Sequence, residues 1–368
     1  MKFSCHTSAL LSGLSVAVRA LSSRTTQPIL EGVLVKSLDR GLELTCSDGA
    51  ISIVTTVEAE ISEEGAVVLP GKLFLDVVRK MPQALMTVTV GETFVSSMRC
   101  LGARMTLAGQ SGDLFPSLPL VSAENSFELP QTLLRDMMQE TAFAIAVDDP
   151  RKVLNGCLLE IAHGEARMIA LDGFRLALRL ARLSGDAPEL SAIIPGKAVA
   201  EIAKILGSED EKMAHVKIGG TQMMVELDET QLYSTLIEGE YINYRHILPS
   251  EWKTRVKIDR DQFAMCVDRA SLIAREGRNN LIKMQIEDGR MIITSNSESG
   301  DAYEELEVEV EGEGLSIAFN VVYVSDILRV LPEGEAYMRF NSPVSPCLVC
   351  PVEGDAFAYL MLPVRVNA

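Results

Sequence analysis

Pro70-Gly71-Lys72-Leu73-Phe74-Leu75-Asp76-Val77-Val78 returns 125 residues further on (70 to 195) as Pro195-Gly196-Lys197-Ala198-Val199-Ala200-Glu201-Ile202-Ala203. After the same interval again stands Asn320-Val321-Val322-Tyr323-Val324-Ser325-Asp326-Ile327-Leu328. The third copy has lost the Pro-Gly-Lys opening but keeps the apolar pattern. Each copy reads as a short amphipathic helix. In the first, Leu73, Phe74, Val77, Val78 and Met81 share one helical face. Proline suits the first turn of a helix and asparagine suits its N-cap.

Other features recur with nearly the same spacing. Leu30-Glu31-Gly32 is echoed by Leu154-Asn155-Gly156, and Leu44-Thr45-Cys46-Ser47-Asp48-Gly49 by Ile169-Ala170-Leu171-Asp172-Gly173, with Ile293-Thr294-Ser295-Asn296 in the third place. A period of about a third of the 368 residues marks repeated domains, not solenoid units. The boundaries fall near 123, between Leu120 and Phe127, and near 253, after Leu248-Pro249-Ser250. The domains are therefore 1–123, 124–252 and 253–368. Each opens with a short strand and a longer amphipathic helix, at Thr7 to Leu21, Pro130 to Ala146 and Asp259 to Ala274. Strands follow, then the helix opened by Pro70, Pro195 or Asn320, then more strands. Leu306-Glu307-Val308-Glu309-Val310-Glu311 alternates strictly, as a strand with one apolar and one acidic face. The expected fold class is α+β, with two helices per domain on one side and β-sheets on the other.

Composition narrows the function. Hydrophobic residues are 47% and charged residues 23%, as in an ordinary folded protein. Apolar runs such as Thr141 to Val147 are far shorter than the roughly 18 residues of a membrane helix. The apolar stretch from Ala9 to Val18 imitates a signal peptide behind Lys2, with Ala20 as its cleavage site. Ser12, Gly13 and Ser15 interrupt it, and it belongs to the repeat. Seven scattered cysteines suit reduced thiols and a cytoplasmic protein. The net charge of −17 argues against a nucleic-acid coat but not against a local basic surface. The two helices of the first repeat carry Arg19, Arg24, Lys72, Arg79 and Lys80 against Asp76 alone. In the second repeat Lys197 and Lys204 flank Glu201. The helical layer is mildly basic and the strand layer acidic. Either this is a chance distribution over solvated faces, or it is a basic surface facing phosphates.

Catalytic chemistry does not assemble. His6, His163, His215 and His246 are scattered. Cys347-Leu348-Val349-Cys350 lies in an expected strand, where residues three apart face opposite ways and do not share a metal. There is no dinucleotide or P-loop motif. The Asp48-Gly49 and Asp172-Gly173 pairs read as structural turns. No nucleophile, base and oxyanion donor converge, so no cofactor, metal or catalytic residue is expected.

The opening Met1-Lys2-Phe3, Arg24 followed by Gln27-Pro28-Ile29-Leu30, Leu154-Asn155-Gly156, Asp172-Gly173-Phe174-Arg175-Leu176, Tyr244-Arg245-His246-Ile247-Leu248-Pro249, Phe319-Asn320-Val321 with Tyr323, and the tail from Tyr359 to Arg365 form an ordered series. Together they resemble the bacterial DNA polymerase III beta subunits, the sliding clamps, over the whole chain. The resemblance implies a DNA-clamp fold of three repeated domains, closing into a ring as a head-to-tail homodimer. It implies a non-enzymatic function: encircling duplex DNA without regard to sequence, and tethering the polymerase, clamp loader and repair proteins through short peptides. The alternative is a peptide-binding scaffold ring that never encloses DNA.

The resemblance also implies sites. DNA would meet Arg24, Lys72, Arg79, Lys80, Lys197 and Lys204. A second DNA loop falls at Val147 to Lys152, where Asp148 and Asp149 leave Arg151 and Lys152 to make the contact. A partner-peptide pocket between the second and third domains would take Leu154, Leu171, Gly173, Phe174, Arg175, Leu176, Ile242, His246, Ile247, Tyr323, Leu360, Leu362, Pro363, Val364 and Arg365. Phe174, Ile242 and Leu171 replace the histidine, proline and threonine usual in the family, making the pocket more apolar. At the dimer interface, Met105 and Leu107 would pack on Leu272 and Ile273, with Lys72 and Arg104 near Glu298 and Glu304.

Overall fold

A computed structural model describes residues 1–22, 26–122, 125–183, 187–209, 211–277 and 279–365. Six α-helices stand among them: α1 Thr7–Ala17, α2 Gly71–Lys80, α3 Gln131–Ala142, α4 Gly196–Ile205, α5 Arg260–Ala274 and α6 Val321–Val330. The helices occur in pairs, one pair per repeat. The chain packs as two compact units, Met1–Thr132 with Lys204–Leu236, and Leu133–Ala203 with Ile237–Ala368. Sheet continuity is the reason three repeats give two units, because the strands of the middle repeat are shared out.

In the first unit a five-stranded sheet runs Glu60–Glu63, Lys2–His6, Leu85–Val90, Val95–Cys100, Ala103–Ala108. A nine-stranded sheet joins Gln110–Ser111, Ala66–Pro70, Gly32–Leu38, Gly41–Ser47 and Ile51–Val57 to Thr230–Thr235, Gln222–Glu226, Met213–Gly219 and Asn125–Pro130. The join is an antiparallel ladder in which Leu232 faces Ile53. Helix α1 buries Leu10, Leu14 and Ala17. Gly13 lets it lie close to the sheet, since an added Cβ would stand 2.3 Å from Val57 Cγ2.

The second unit takes α3 from Leu133, α4 as far as Ala203, α5 and α6. Its nine-stranded sheet joins Leu190–Pro195, Gly156–Ala162, Glu165–Leu171 and Arg175–Arg182 to Phe357–Met361, Cys347–Pro351, Glu335–Phe340, Thr254–Asp259 and Glu309–Gly312. Here Leu176 faces Leu360 across the join. A four-stranded sheet of Gly300–Glu307, Arg290–Ser297, Leu281–Glu287 and Leu315–Asn320 completes it.

Several expectations need adjustment. The first helix of the first repeat tightens to 3-10 geometry over Val18–Ala20 instead of continuing to Leu21, and α3 stops at Ala142. Pro70 ends a strand and occupies the N-cap of α2, one place before the first turn. Phe74, Val78 and Met81 are buried along α2, but Leu73 is exposed. The contact line follows i, i+4, i+7, and Leu73 falls beyond its edge. The alternating stretch at 306–311 is two strands, not one. It breaks at Val308, passing from the four-stranded to the nine-stranded sheet while keeping its inward and outward alternation. Cys347 and Cys350 lie in one strand, and all seven cysteines are buried and free.

Candidate functional site

The site begins at a turn. Asp172 Oδ1 accepts hydrogen bonds from the backbone N–H of Phe174 (2.9 Å) and Arg175 (3.1 Å). Gly173 sits at φ +94°, where glycine is favoured. The turn throws Phe174 outward, leaving the residue 58% exposed, while Leu171 and Leu176 on either side are buried. The C-terminal strand Phe357–Met361 pairs with Arg175–Arg182, and Leu362 N–H continues that pairing by bonding Phe174 O at 2.8 Å. Two residues on, Val364 N–H bonds Ala318 O at 2.8 Å, so the tail is tied at both ends beside α6.

The pocket residues separate into floor and rim. Leu154, Leu171, Leu176 and Leu360 form part of one buried cluster with Tyr244, and Ile242 packs against it. Phe174, Ile247 and Leu362 present apolar surface, the last two a little over a third exposed. Phe174 stacks on Tyr323 of α6, with ring centroids 6.2 Å apart at 23°, within the roughly 4.5–7 Å that aromatic pairs prefer. Pro363 and Val364 are half-buried, and His246 and Arg365 are exposed. A rigid apolar floor under an exposed aromatic and aliphatic rim can receive the apolar anchors of a short peptide.

Charge lies behind the rim. Arg175 is only 13% exposed; its Nε bonds Asp172 Oδ2 at 2.9 Å and its Nη1 bonds Asp326 Oδ2 at 2.6 Å. Its guanidinium carbon lies 4.7 Å from the Tyr323 ring centroid and 5.4 Å from that of Phe143. Burial and the Asp172 carboxylate raise the Tyr323 hydroxyl pKa, which Arg175 partly offsets. Asp326 and Phe143 were not among the residues expected from sequence. Asp326 carries a signal in the repeat, since Asp76, Glu201 and Asp326 occupy the same place in the three short helices.

Three profiles of the DNA polymerase III beta subunit match in order: its N-terminal domain over residues 1–119, its central domain over 128–243 and its C-terminal domain over 245–365. The chain belongs to the DNA polymerase III beta subunit family. A beta sliding clamp from Bacillus subtilis is 32% identical over 379 aligned residues, covering 99% of this chain and 100% of that one. The crystal structure of a DNA polymerase sliding clamp from the same organism matches with a TM-score of 0.96 at 31% identity, over 100% of both chains. A sliding clamp from Pseudomonas aeruginosa, solved with griselimycin bound, matches at 0.94 and 28%, again over 100% of both. The three-domain sliding-clamp fold and the resemblance read from the motifs are borne out. So is the function, a processivity clamp of DNA replication.

The remaining expected residues of this beta subunit divide as follows. Lys72, Lys80, Lys152, Lys197 and Lys204 are exposed, and Arg79 is exposed and paired with Asp76 at 2.8 Å. Arg24 lies outside the described residues. Arg151 is engaged by Asp149, through Nε at 3.0 Å and Nη2 at 2.9 Å. A Cβ added to Gly173 would lie 3.5 Å from Arg151 Nη2, so this arginine stands beside the peptide site. Met105 and Leu272 are 47% and 68% exposed, whereas Leu107 is 7% exposed and covered by its own chain. Lys72, Arg104 and Glu298 are exposed. Glu304 is bonded by Arg269 Nε at 2.8 Å within the same chain. Among the described residues no helix is long and apolar enough to cross a membrane, and no three metal-binding side chains gather.

Proposed function

We propose that two copies of this chain close head to tail into a ring, with domains 1–123, 124–252 and 253–368, and that the ring acts in the cytoplasm without catalysis. Duplex DNA is held inside by topology, with Lys72, Lys80, Lys152, Lys197, Lys204, Arg79 and Arg24 making weak phosphate contacts. Such contacts are sequence-blind and salt-sensitive. Arg151, held by Asp149 beside Gly173, serves the peptide site instead. Met105 and Leu272 are the apolar anchors of the dimer seam, joined by Ile273 and rimmed by Lys72, Arg104, Glu298 and Glu304, with Leu107 two residues along the same strand face as Met105. The polymerase, the clamp loader and repair proteins dock by short peptides at the site around Phe174.

The observation that carries the docking site is the exposed Phe174, stacked on Tyr323 and bonded through its backbone to Leu362, at the edge of the buried leucine cluster that holds its neighbours Leu171 and Leu176. A peptide leucine and aromatic fully buried there contribute roughly 1.5–3 kcal/mol each. Calorimetric titration of a Gln-x-x-Leu-Phe peptide tests it. Leu362→Ala is expected to weaken binding by roughly 1–3 kcal/mol, as for loss of a central anchor. Equal affinity for wild type and variant would place the peptide elsewhere.

A further inference from the structure

The Asp172 turn carries more than its backbone needs. In the first repeat Asp48 Oδ1 makes the same two bonds, to the N–H of Ala50 (2.9 Å) and Ile51 (2.7 Å), and Gly49 sits at φ +92°. There Ile51, buried, stands where the second repeat has Arg175. The turn therefore forms without an arginine. The short helices give a parallel comparison. Asp76 bonds Arg79 three residues on, and Asp326 Oδ1 bonds Arg329 in the same way at 3.1 Å. Asp326 turns its second oxygen to Arg175. Two carboxylates, Asp172 and Asp326, thus meet two guanidinium groups, Arg175 and Arg329. Asp172, Arg175 and Asp326 are each less than one-fifth exposed, directly behind the Phe174–Tyr323 rim.

Resting on the docking site proposed above, we propose that Asp326 is a positioning residue for partner recognition. It cancels the charge of Arg175 and holds its guanidinium on Tyr323. The rim at Phe174 and Tyr323 then selects neutral, apolar peptide side chains, because Arg175 behind it has no free charge to offer a peptide carboxylate. Without the second carboxylate, a half-buried guanidinium with unsatisfied donors would attract an acidic side chain.

The test titrates the full-length protein with two peptides, Gln-Ser-Ala-Leu-Phe and Gln-Ser-Ala-Leu-Glu, at low and high salt. Wild type prefers the phenylalanine peptide. Asp326→Asn narrows that preference about fivefold, the scale of a partly exposed ion pair, and the narrowing fades as salt is added. Asp326→Glu restores the wild-type preference. Arg175→Gln, which removes the cation from the other side, widens it, and decides the matter if Asp326→Asn does not fold. An unchanged preference in the variants, or an equal loss for both peptides in Asp326→Asn, would reduce Asp326 to a structural role and overturn the proposal. Failure of wild type to bind either peptide would instead overturn the docking site itself.

Discussion

Asp149 and Arg151 show how a single pair changes what a residue offers. Read as text, Val147 to Lys152 offers two acids and two bases to a phosphate backbone. In the fold, Asp149 Oδ1 also accepts the Arg151 backbone N–H at 2.8 Å, so acid and base close on each other. The bonds from the Arg151 side chain and backbone hold the Asp149 carboxyl at about 2, below its ordinary 3.8. A depressed carboxylate stabilises the fold fully above its unfolded value and loses that contribution as pH falls through the folded one. Asp149→Asn should therefore melt below wild type near neutral pH, and the gap should close as pH falls from roughly 4 to 2. A gap constant over that range in thermal unfolding would contradict the pairing. The thiols give a second expectation. Burial pushes Cys5 and Cys157 up to about 12, and all seven cysteines are buried. In the native protein at pH 8, Cys5 and Cys157 should react with a disulfide reagent more than about a hundredfold more slowly than in the denatured protein, since only thiolate attacks. Fast modification of the native protein would show that a thiol is accessible.

Helix boundaries were legible where a side chain does the capping. Asn320 Oδ1 accepts the N–H of Val322 at 2.9 Å, as an asparagine before an apolar run leads one to expect. Asn320→Ala should cost about 1 kcal/mol by denaturant unfolding, and Asn320→Ser should recover most of it. A neutral Asn320→Ala would mean that packing of α6, not its cap, sets the helix start. The strand at 306–311 was half legible. Alternation reports which side chains face inward, and that held. It does not report which neighbour each segment pairs with, so the change of sheet at Val308 has no period-two signature.

For the whole molecule, assembly is the consequence to test. Leu272 is 68% exposed on α5, an apolar side chain without cover from its own chain. Leu272→Asp with Ile273→Asp would place two carboxylates in a desolvated seam, at several kcal/mol each, and light scattering should then report monomers. An unchanged dimer mass would move the interface to another surface. Retention on DNA should be topological, because the net charge is −17 and the helical cations are few. A loaded clamp should remain on nicked circular DNA through added salt and leave when the circle is cut. Equal retention on circular and open linear DNA would instead indicate direct binding, and failure to load at all would favour a scaffold ring.

Periodicity by itself determined the six helices, the threefold repeat and the α+β class, because each repeat must bury its own apolar faces and those faces recur in the chain; the clamp fold was legible only through the resemblance carried by the ordered motifs. The Asp-Gly turns were equally local, since an aspartate oxygen reaches backbone N–H groups two and three residues on. Only the tertiary structure decided that the middle repeat is divided between two packed units, because strand pairing is set by partners far apart in sequence, such as Ile53 with Leu232 and Leu176 with Leu360. It also decided that Leu107 is covered, that Arg151 belongs beside Gly173, and that Asp326 reaches Arg175 across 151 positions of chain. A charge–charge contact leaves no spacing in the sequence when its two ends lie on different elements, so the fold alone brings them together.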